Sequence, residues 1–179
     1  MGRPKALLPF RNGTFLSVLA ETLGSFCKPV IAVFGHQGEA LCASVPHGVT
    51  PVVNHGYRAG MLTSLQTGLR ALDLTQVDRI LFTLVDHPAV RSETIAALSR
   101  SEALIAIPRF QGRRGHPVAI RPAIAGEFLA EPVTAMVRRV IDRHAEAIQY
   151  IESPDPGITD DIDDPALYRA LLQRDRARA

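Results

Sequence analysis

The chain has no tryptophan, few aromatic residues of any kind and only two cysteines among its 179 residues. Cys27 and Cys42 lack the short paired spacing of a zinc or redox motif, so both are expected to be reduced thiols in a cytoplasmic protein. Long apolar runs are missing too. Nothing approaches the roughly 18 residues that a bilayer-spanning helix needs, and the first residues lack the apolar stretch of a secretory signal. Ala6 stands where a myristoylation motif wants Ser or Thr.

An excess of one charge is also absent. Twenty basic against eighteen acidic residues leave +2, and the acids are interspersed, so no clustered cation is available for a nucleic-acid backbone. With 46% hydrophobic and 21% charged residues, disorder and collagen-like or mucin-like repeats are excluded. The length suits one domain over 1–179, at roughly 100 to 200 residues per domain.

Apolar and β-branched runs at 30–34, 80–85, 103–107 and 118–120 read as buried strands, with further candidates at 50–53 and 147–151. Between them, Leu62, Leu65, Leu69 and Leu72 recur at helical steps. So do Val133, Met136, Val137, Val140 and Ile141, and both sets are expected to face the core. Thr14 caps a helix to about Phe26, Ser92 one to about Arg100, and Asp164-Pro165 opens the last helix, whose tip at 173–179 should fray. Alternating strands and helices predict an α/β fold with a mostly parallel sheet covered on both faces.

In such a sheet ligands gather beyond the carboxyl ends of the strands, so polar residues there are weighed first. Gly2, Arg3 and Lys5 combine close backbone approach with positive charge for an anion; a solvated tail would read the same way. Asp86 follows the 80–85 run directly, and a carboxylate at a strand mouth calls for a cation, with Mg²⁺ the usual one where phosphates are handled. Asp160, Asp161, Asp163 and Asp164 crowd one short stretch. Asp164 is explained by capping, while alternation around Ile162 puts Asp161 and Asp163 on one side, where one of them can join Asp86. A solvated acidic turn is the alternative. Two polar loops complete the set. The first runs from Asn54 through Gly60 toward Ser64, and the second is Gly112-Arg113-Arg114-Gly115-His116-Pro117. No nucleophile elbow, complete Walker loop or paired catalytic cysteine occurs, which disfavours covalent catalysis.

Taken in order, these residues resemble the molybdenum cofactor cytidylyltransferase family, within the MobA-like nucleotidyltransferases. The resemblance runs over about 1–172. Its pieces are Met1-Gly2-Arg3-Pro4-Lys5-Ala6-Leu7-Leu8-Pro9, Asn54 with Gly60-Met61 and Ser64-Leu65, Asp86-His87-Pro88, Gly112 to Pro117, and Asp161-Ile162-Asp163-Asp164-Pro165. It implies a Rossmann-like, three-layer nucleotidyltransferase domain that transfers CMP from CTP to molybdopterin or molybdenum cofactor, releasing pyrophosphate, with Mg²⁺ required. Lys5 and Asp86 would be catalytic. Gly2, Arg3, Lys5, Asn54, Gly60 and Ser64 would bind nucleotide, Arg114, Gly115 and His116 would face the pterin, and Asp86 with Asp163 would hold the metal. A recipient molybdoenzyme or its chaperone is an expected partner. The resemblance also implies a strand and glycine-rich loop ahead of the Met1-Gly2 pair, so the domain is expected to be incomplete at its amino end. His87 stands where relatives often have Gln or Met, and Asp164 where they have Thr. Two alternatives are a non-catalytic nucleotide- or cofactor-binding protein, and a nucleotidyltransferase for another phosphorylated small molecule.

Overall fold

The computed structural model describes residues 2–177; Met1 and residues 178–179, which carry the first residue of the signature and the end of the expected frayed tip, lie outside it. A 3-10 turn at Lys5–Leu7 leads into a hairpin of β1 (Pro9–Phe10) and β2 (Gly13–Thr14). Thr14 then opens α1 (Phe15–Gly24) through a reciprocal cap, its hydroxyl accepting from the Ser17 amide while the Ser17 hydroxyl accepts from the Thr14 amide. The chain continues through β3 (Val30–Phe34), α2 (Gly38–Cys42), β4 (Val49–Val53), α3 (Met61–Arg70), β5 (Ile80–Phe82) and α4 (Ser92–Arg100). There follow β6 (Ile105–Phe110), β7 (Arg113–Arg114), β8 (Val118–Ile120), α5 (Pro122–Ala130), α6 (Arg138–Arg143), β9 (Ile148–Glu152) and α7 (Pro165–Arg176). Among the described residues no helix is long and apolar enough to cross a membrane.

Two hydrogen-bonded pieces make up the main sheet. β3 and β4 pair in parallel from Val30 opposite Val49 to Phe34 opposite Val53. In the second piece β8 lies antiparallel between β5 and β6, and β9 runs parallel along the other edge of β6. β5, β6 and β9 therefore share one direction, in keeping with a mostly parallel sheet, and β8 and the short β7 oppose it. Helices cover both faces, as an α/β fold requires. On one, α3, α5 and α6 bury Leu62, Leu69, Phe128, Val140 and Ile141 against Ile105 and Ile120; on the other, Leu19 of α1 and Ile95 of α4 pack with Val90 and Ile158. Phe128 meets Phe82 edge to face with centroids 6.1 Å apart, and a fully buried side chain of this size stabilises the fold by about 2 to 3 kcal/mol.

α7 closes back on the beginning of the chain. Its cap is Asp164, whose carboxylate accepts from the Ala166 and Leu167 amides. Tyr168 donates to the Pro9 carbonyl at 2.5 Å and packs on Phe15, and the Arg11 guanidinium meets Asp175 at 2.9 Å.

Three expectations are corrected. Val133 and Met136 are exposed, because Pro132 ends α5 and a turn closed by the Ala135 amide on the Pro132 carbonyl throws them out of helical phase; Val140 and Ile141 are buried in the core and Val137 packs half-buried against it. Ser92 begins α4 without capping it. The orphan donor there, the Arg91 amide, is satisfied at 2.8 Å by Asp155, a buried carboxylate from a distant loop that also accepts from Thr94. Residues 173–176 are helical, held by the Asp175 contact and by an Arg174–Asp160 ion pair.

Candidate active site

β5 stops at Phe82 rather than Val85, because β8 ends opposite it and supplies no further ladder partner. The freed segment turns at Leu84, whose carbonyl accepts from the His87 amide, and presents Asp86 at the mouth of the strand. The acidic loop reaches the same point from the far end of the chain. Ile162 anchors it, buried among Leu8, Phe10, Phe15 and Leu171, and the Ile162 amide donates to the Asp86 carbonyl at 3.2 Å. The flanking Asp161 and Asp163 are thereby aimed at Asp86, and one carboxylate oxygen from each of the three lies within 4.8 Å of the others. The sequence left open which of Asp161 and Asp163 joins Asp86; the structure gathers both. Asp160 is engaged elsewhere, by Arg174.

Lys5 completes the cluster. Its ammonium donates to Asp86 Oδ2 at 3.3 Å and to Asp163 Oδ1. Burial alone would lower the Lys5 pKa, but the bonds to Asp163 and Asp86 outweigh it and hold the ammonium above its usual range. The same bond lowers Asp163, whereas burial and the charges of Asp86 and Asp163 raise Asp161. One lysine thus faces three carboxylates, and charge remains uncompensated. Asp86 Oδ1 is sealed from solvent without any hydrogen-bond partner. An orphaned buried oxygen beside two further carboxylates suits a hard divalent cation, which takes oxygen donors.

Behind Asp86 lies a pair of imidazoles. The His87 and His116 rings stack with centroids 4.8 Å apart, and His87 Nε2 is 3.8 Å from Asp86 Oδ1. Burial, then the neighbouring His87, push the His116 pKa down to about 4, and burial lowers His87 as well, so both rings are neutral at pH 7. The Nδ1 atoms of both are enclosed without a partner. Gly115 is buried against the backbone of Ile158, where a Cβ would come within 2.3 Å of the carbonyl oxygen, and the His116 amide donates to that carbonyl. Gly115 is thereby fixed against the turn that carries Ile158. His116 packs on His87, and Arg114 alone of the three is exposed, its guanidinium 5.0 Å from the Tyr150 ring centroid.

The loop after β4 forms a closed network. Asn54, almost fully buried, donates to Thr63 Oγ1 at 2.8 Å and Ser64 Oγ at 3.0 Å while its carbonyl accepts from the Gly56 amide. Gly60 sits at φ +127, open to a glycine and strained for other residues. Gly2, at φ +70, and Arg3 are exposed. Sequence reasoning missed the His87–His116 stack and the Asp155 strut. Its one available signal was the repeated His-Pro, at His87-Pro88 just beyond the apolar 80–85 run and at His116-Pro117 directly before β8.

The model of the MobA-like NTP transferase domain matches residues 1–148. The chain belongs to this family. It is 32% identical to the nicotine blue oxidoreductase of Paenarthrobacter nicotinovorans over 96% of this chain and 90% of that protein. With the molybdenum cofactor cytidylyltransferase of Escherichia coli strain K12 it shares 26% identity, covering 89% of this chain and 88% of the relative. Among solved structures, Rv0371c of Mycobacterium tuberculosis H37Rv superposes with a TM-score of 0.80 at 21% identity, covering 97% of this chain and 91% of that one. The same protein has also been solved in complex with manganese (TM-score 0.77, 24% identity, covering 96% and 93%). At these identities the structural matches speak for the fold alone.

Proposed function

We propose that this member of the MobA-like family is a divalent-metal-dependent nucleotidyltransferase that transfers CMP from CTP to the terminal phosphate of molybdopterin or molybdenum cofactor. The observation that carries the reading is the convergence of Asp86, Asp161 and Asp163, with Lys5 among them, beyond the carboxyl end of β5. The cytidylyltransferase relative supports the nucleotide and the acceptor, and the manganese complex of the mycobacterial neighbour supports metal use.

Asp86, with Asp163 and Asp161, would hold Mg²⁺; when bound, such an ion neutralises phosphate charge and makes the α-phosphorus more electrophilic. Lys5 and Arg3 then bind the triphosphate oxygens, Lys5 as a compact charge and Arg3 through its planar fork. Gly2, Asn54, Gly60 and Ser64 shape the nucleotide side of the cleft, with Asn54 acting through the loop it braces. Arg114 meets the acceptor phosphate, and His116 supports Asp86 from behind through His87. An acceptor phosphate oxygen attacks the α-phosphorus in line, a new P–O bond forms, and the bond to the bridging oxygen breaks to release pyrophosphate. Positioning and charge stabilisation supply the rate. The product would pass to a recipient molybdoenzyme or its chaperone.

The test is pyrophosphate release from CTP and GTP, with and without molybdopterin, in Mg²⁺ and in Mn²⁺. Release that depends on molybdopterin and prefers CTP supports the reading; turnover only with another phosphorylated acceptor would replace the acceptor, and none with any acceptor would remove the transferase. The 32% match favours one second reading, an oxidoreductase of this fold acting on nicotine blue without transferring a nucleotide. Redox turnover of nicotine blue, alongside silence in the pyrophosphate assay, would support it.

A further inference from the structure

One lysine stands between two kinds of ligand. The Lys5 ammonium donates to Asp86 Oδ2 at 3.3 Å and to Asp163 Oδ1, on two of the three carboxylates that converge beyond β5. It is also the compact cation that the proposed reaction needs on a phosphate oxygen. These two tasks compete. While the ammonium lies on the two aspartates its charge is engaged by them, and a divalent ion drawn to the same carboxylates meets a positive charge already seated there.

The hold is partial. Among the described residues Lys5 donates neither to Asp86 Oδ1, which is buried without a partner, nor to Asp161. One positive charge therefore faces three negative ones, and an ion of charge +2 that takes an oxygen from each matches the cluster better than the ammonium does. The lysine is also the piece best able to leave. Asp86 and Asp163 are short side chains, and their backbones are tied together through the Ile162 amide on the Asp86 carbonyl. The Lys5 backbone is fixed too, in a 3-10 turn closed by the Leu8 amide on the Lys5 carbonyl, with Ala6 and Leu8 buried behind it. Its stem is different. Four methylenes carry the charge, the side chain is 29% exposed, and it can swing without moving the turn. Exposed Arg3 lies two residues away, so an anion drawn to its guanidinium meets the Lys5 stem on the same short stretch.

We propose that Lys5 is an internal competitor of the metal ion: it yields Asp86 and Asp163 when the ion binds and passes to a phosphate oxygen, so that divalent ion and polyphosphate each strengthen the other's binding. This rests on the divalent-ion reading of the acidic cluster. The coupling runs both ways, as linkage requires. Without a phosphate, a displaced ammonium gives up two carboxylates and gains only water. Without a divalent ion, the phosphate meets an ammonium already paired and three carboxylates that repel it. With both present every charge has a partner. No covalent bond changes in the exchange.

The test needs no turnover. Free Mn²⁺ is counted by its electron paramagnetic resonance signal with the unmodified chain, Lys5→Met and Lys5→Arg, each alone and with inorganic phosphate, which chelates Mn²⁺ only weakly. Lys5→Met, close in length but uncharged, is expected to bind Mn²⁺ about tenfold more tightly than the unmodified chain when phosphate is absent. Lys5→Arg keeps a cation in place and is expected to gain no affinity. Phosphate should tighten Mn²⁺ binding to the unmodified chain by about fivefold, and to Lys5→Met by a clearly smaller factor. If Lys5→Met unfolds for want of its ammonium, recovery of its circular dichroism in Mn²⁺ supports the proposal, and failure to recover counts against it. Binding by folded Lys5→Met that equals or falls below that of the unmodified chain would overturn the competition and leave the metal site standing. Absence of Mn²⁺ binding in all three chains would remove the metal site and the proposal together.

Discussion

Two clusters of polar side chains lie beyond the strand ends, and they are built on opposite principles. Around Asn54 the amide nitrogen and the carbonyl of one buried side chain all find partners on Gly56, Thr63 and Ser64. Around Asp86 three carboxylates share one lysine and a buried oxygen has no partner. A satisfied network holds a loop in shape and has little left to offer a ligand, whereas an unsatisfied one costs stability that a bound cation would restore. The first is expected to act as a scaffold and the second as the site of chemistry.

Substitutions in the two clusters should therefore separate stability from turnover. Asp86→Asn has the largest expected effect on activity, lowering metal-dependent pyrophosphate release by about 10²- to 10³-fold or more. Because it relieves repulsion among carboxylates, its thermal midpoint in chelator should not fall below that of the unmodified chain. A large loss of stability would place Asp86 with Asn54 in the scaffold class.

Next comes a pH dependence confined to the acidic side. His116 has a folded pKa of about 4 against an ordinary 6.5, so its contribution is fully present above about pH 6.5 and is lost as pH falls toward 4. The shift corresponds to up to about 3 kcal/mol. Urea unfolding between pH 7 and 4 should show this slope, and His116→Gln should flatten it; an unchanged slope in the variant would assign the acid sensitivity elsewhere.

Asn54→Ala should cost about 2 kcal/mol in urea unfolding, since it strands the groups its side chain now satisfies, with a pH profile like that of the unmodified chain. The folded fraction should keep most of its turnover number and show a raised KM for nucleotide. The smallest effect is expected at exposed Arg114. Arg114→Ala should raise the KM for the phosphorylated acceptor by about three- to tenfold, as loss of a surface charge contact does, and leave stability and the KM for nucleotide unchanged.

Much of this division could be read in advance. β3 and β8 match their apolar runs residue for residue, and the caps at Thr14 and Asp164 were legible because each depends on residues two or three positions away. The acidic site was half legible. A carboxylate after a buried run and alternation around Ile162 are local signals, but the amide that ties Ile162 to Asp86 is a tertiary contact with no local trace. For the same reason Ser92 looked like a cap when Asp155 does the work, and Gly115 looked like an open loop when Ile158 closes it. Val133 and Met136 failed differently: their spacing is helical, but one proline resets the phase.

The grip of α7 on the first hairpin bears on how the molecule is made. Tyr168 reaches Pro9 and Asp175 reaches Arg11 across separations of 159 and 164 residues. Contacts that distant in sequence form late and slow the search for the native state. On the ribosome, Lys5 emerges well before Asp163, so the cluster of the lysine and its carboxylates is assembled only after the polypeptide between them has been made. Nascent chains stalled short of α7 should be competent to form β6 and its neighbours, yet unable to capture a divalent ion.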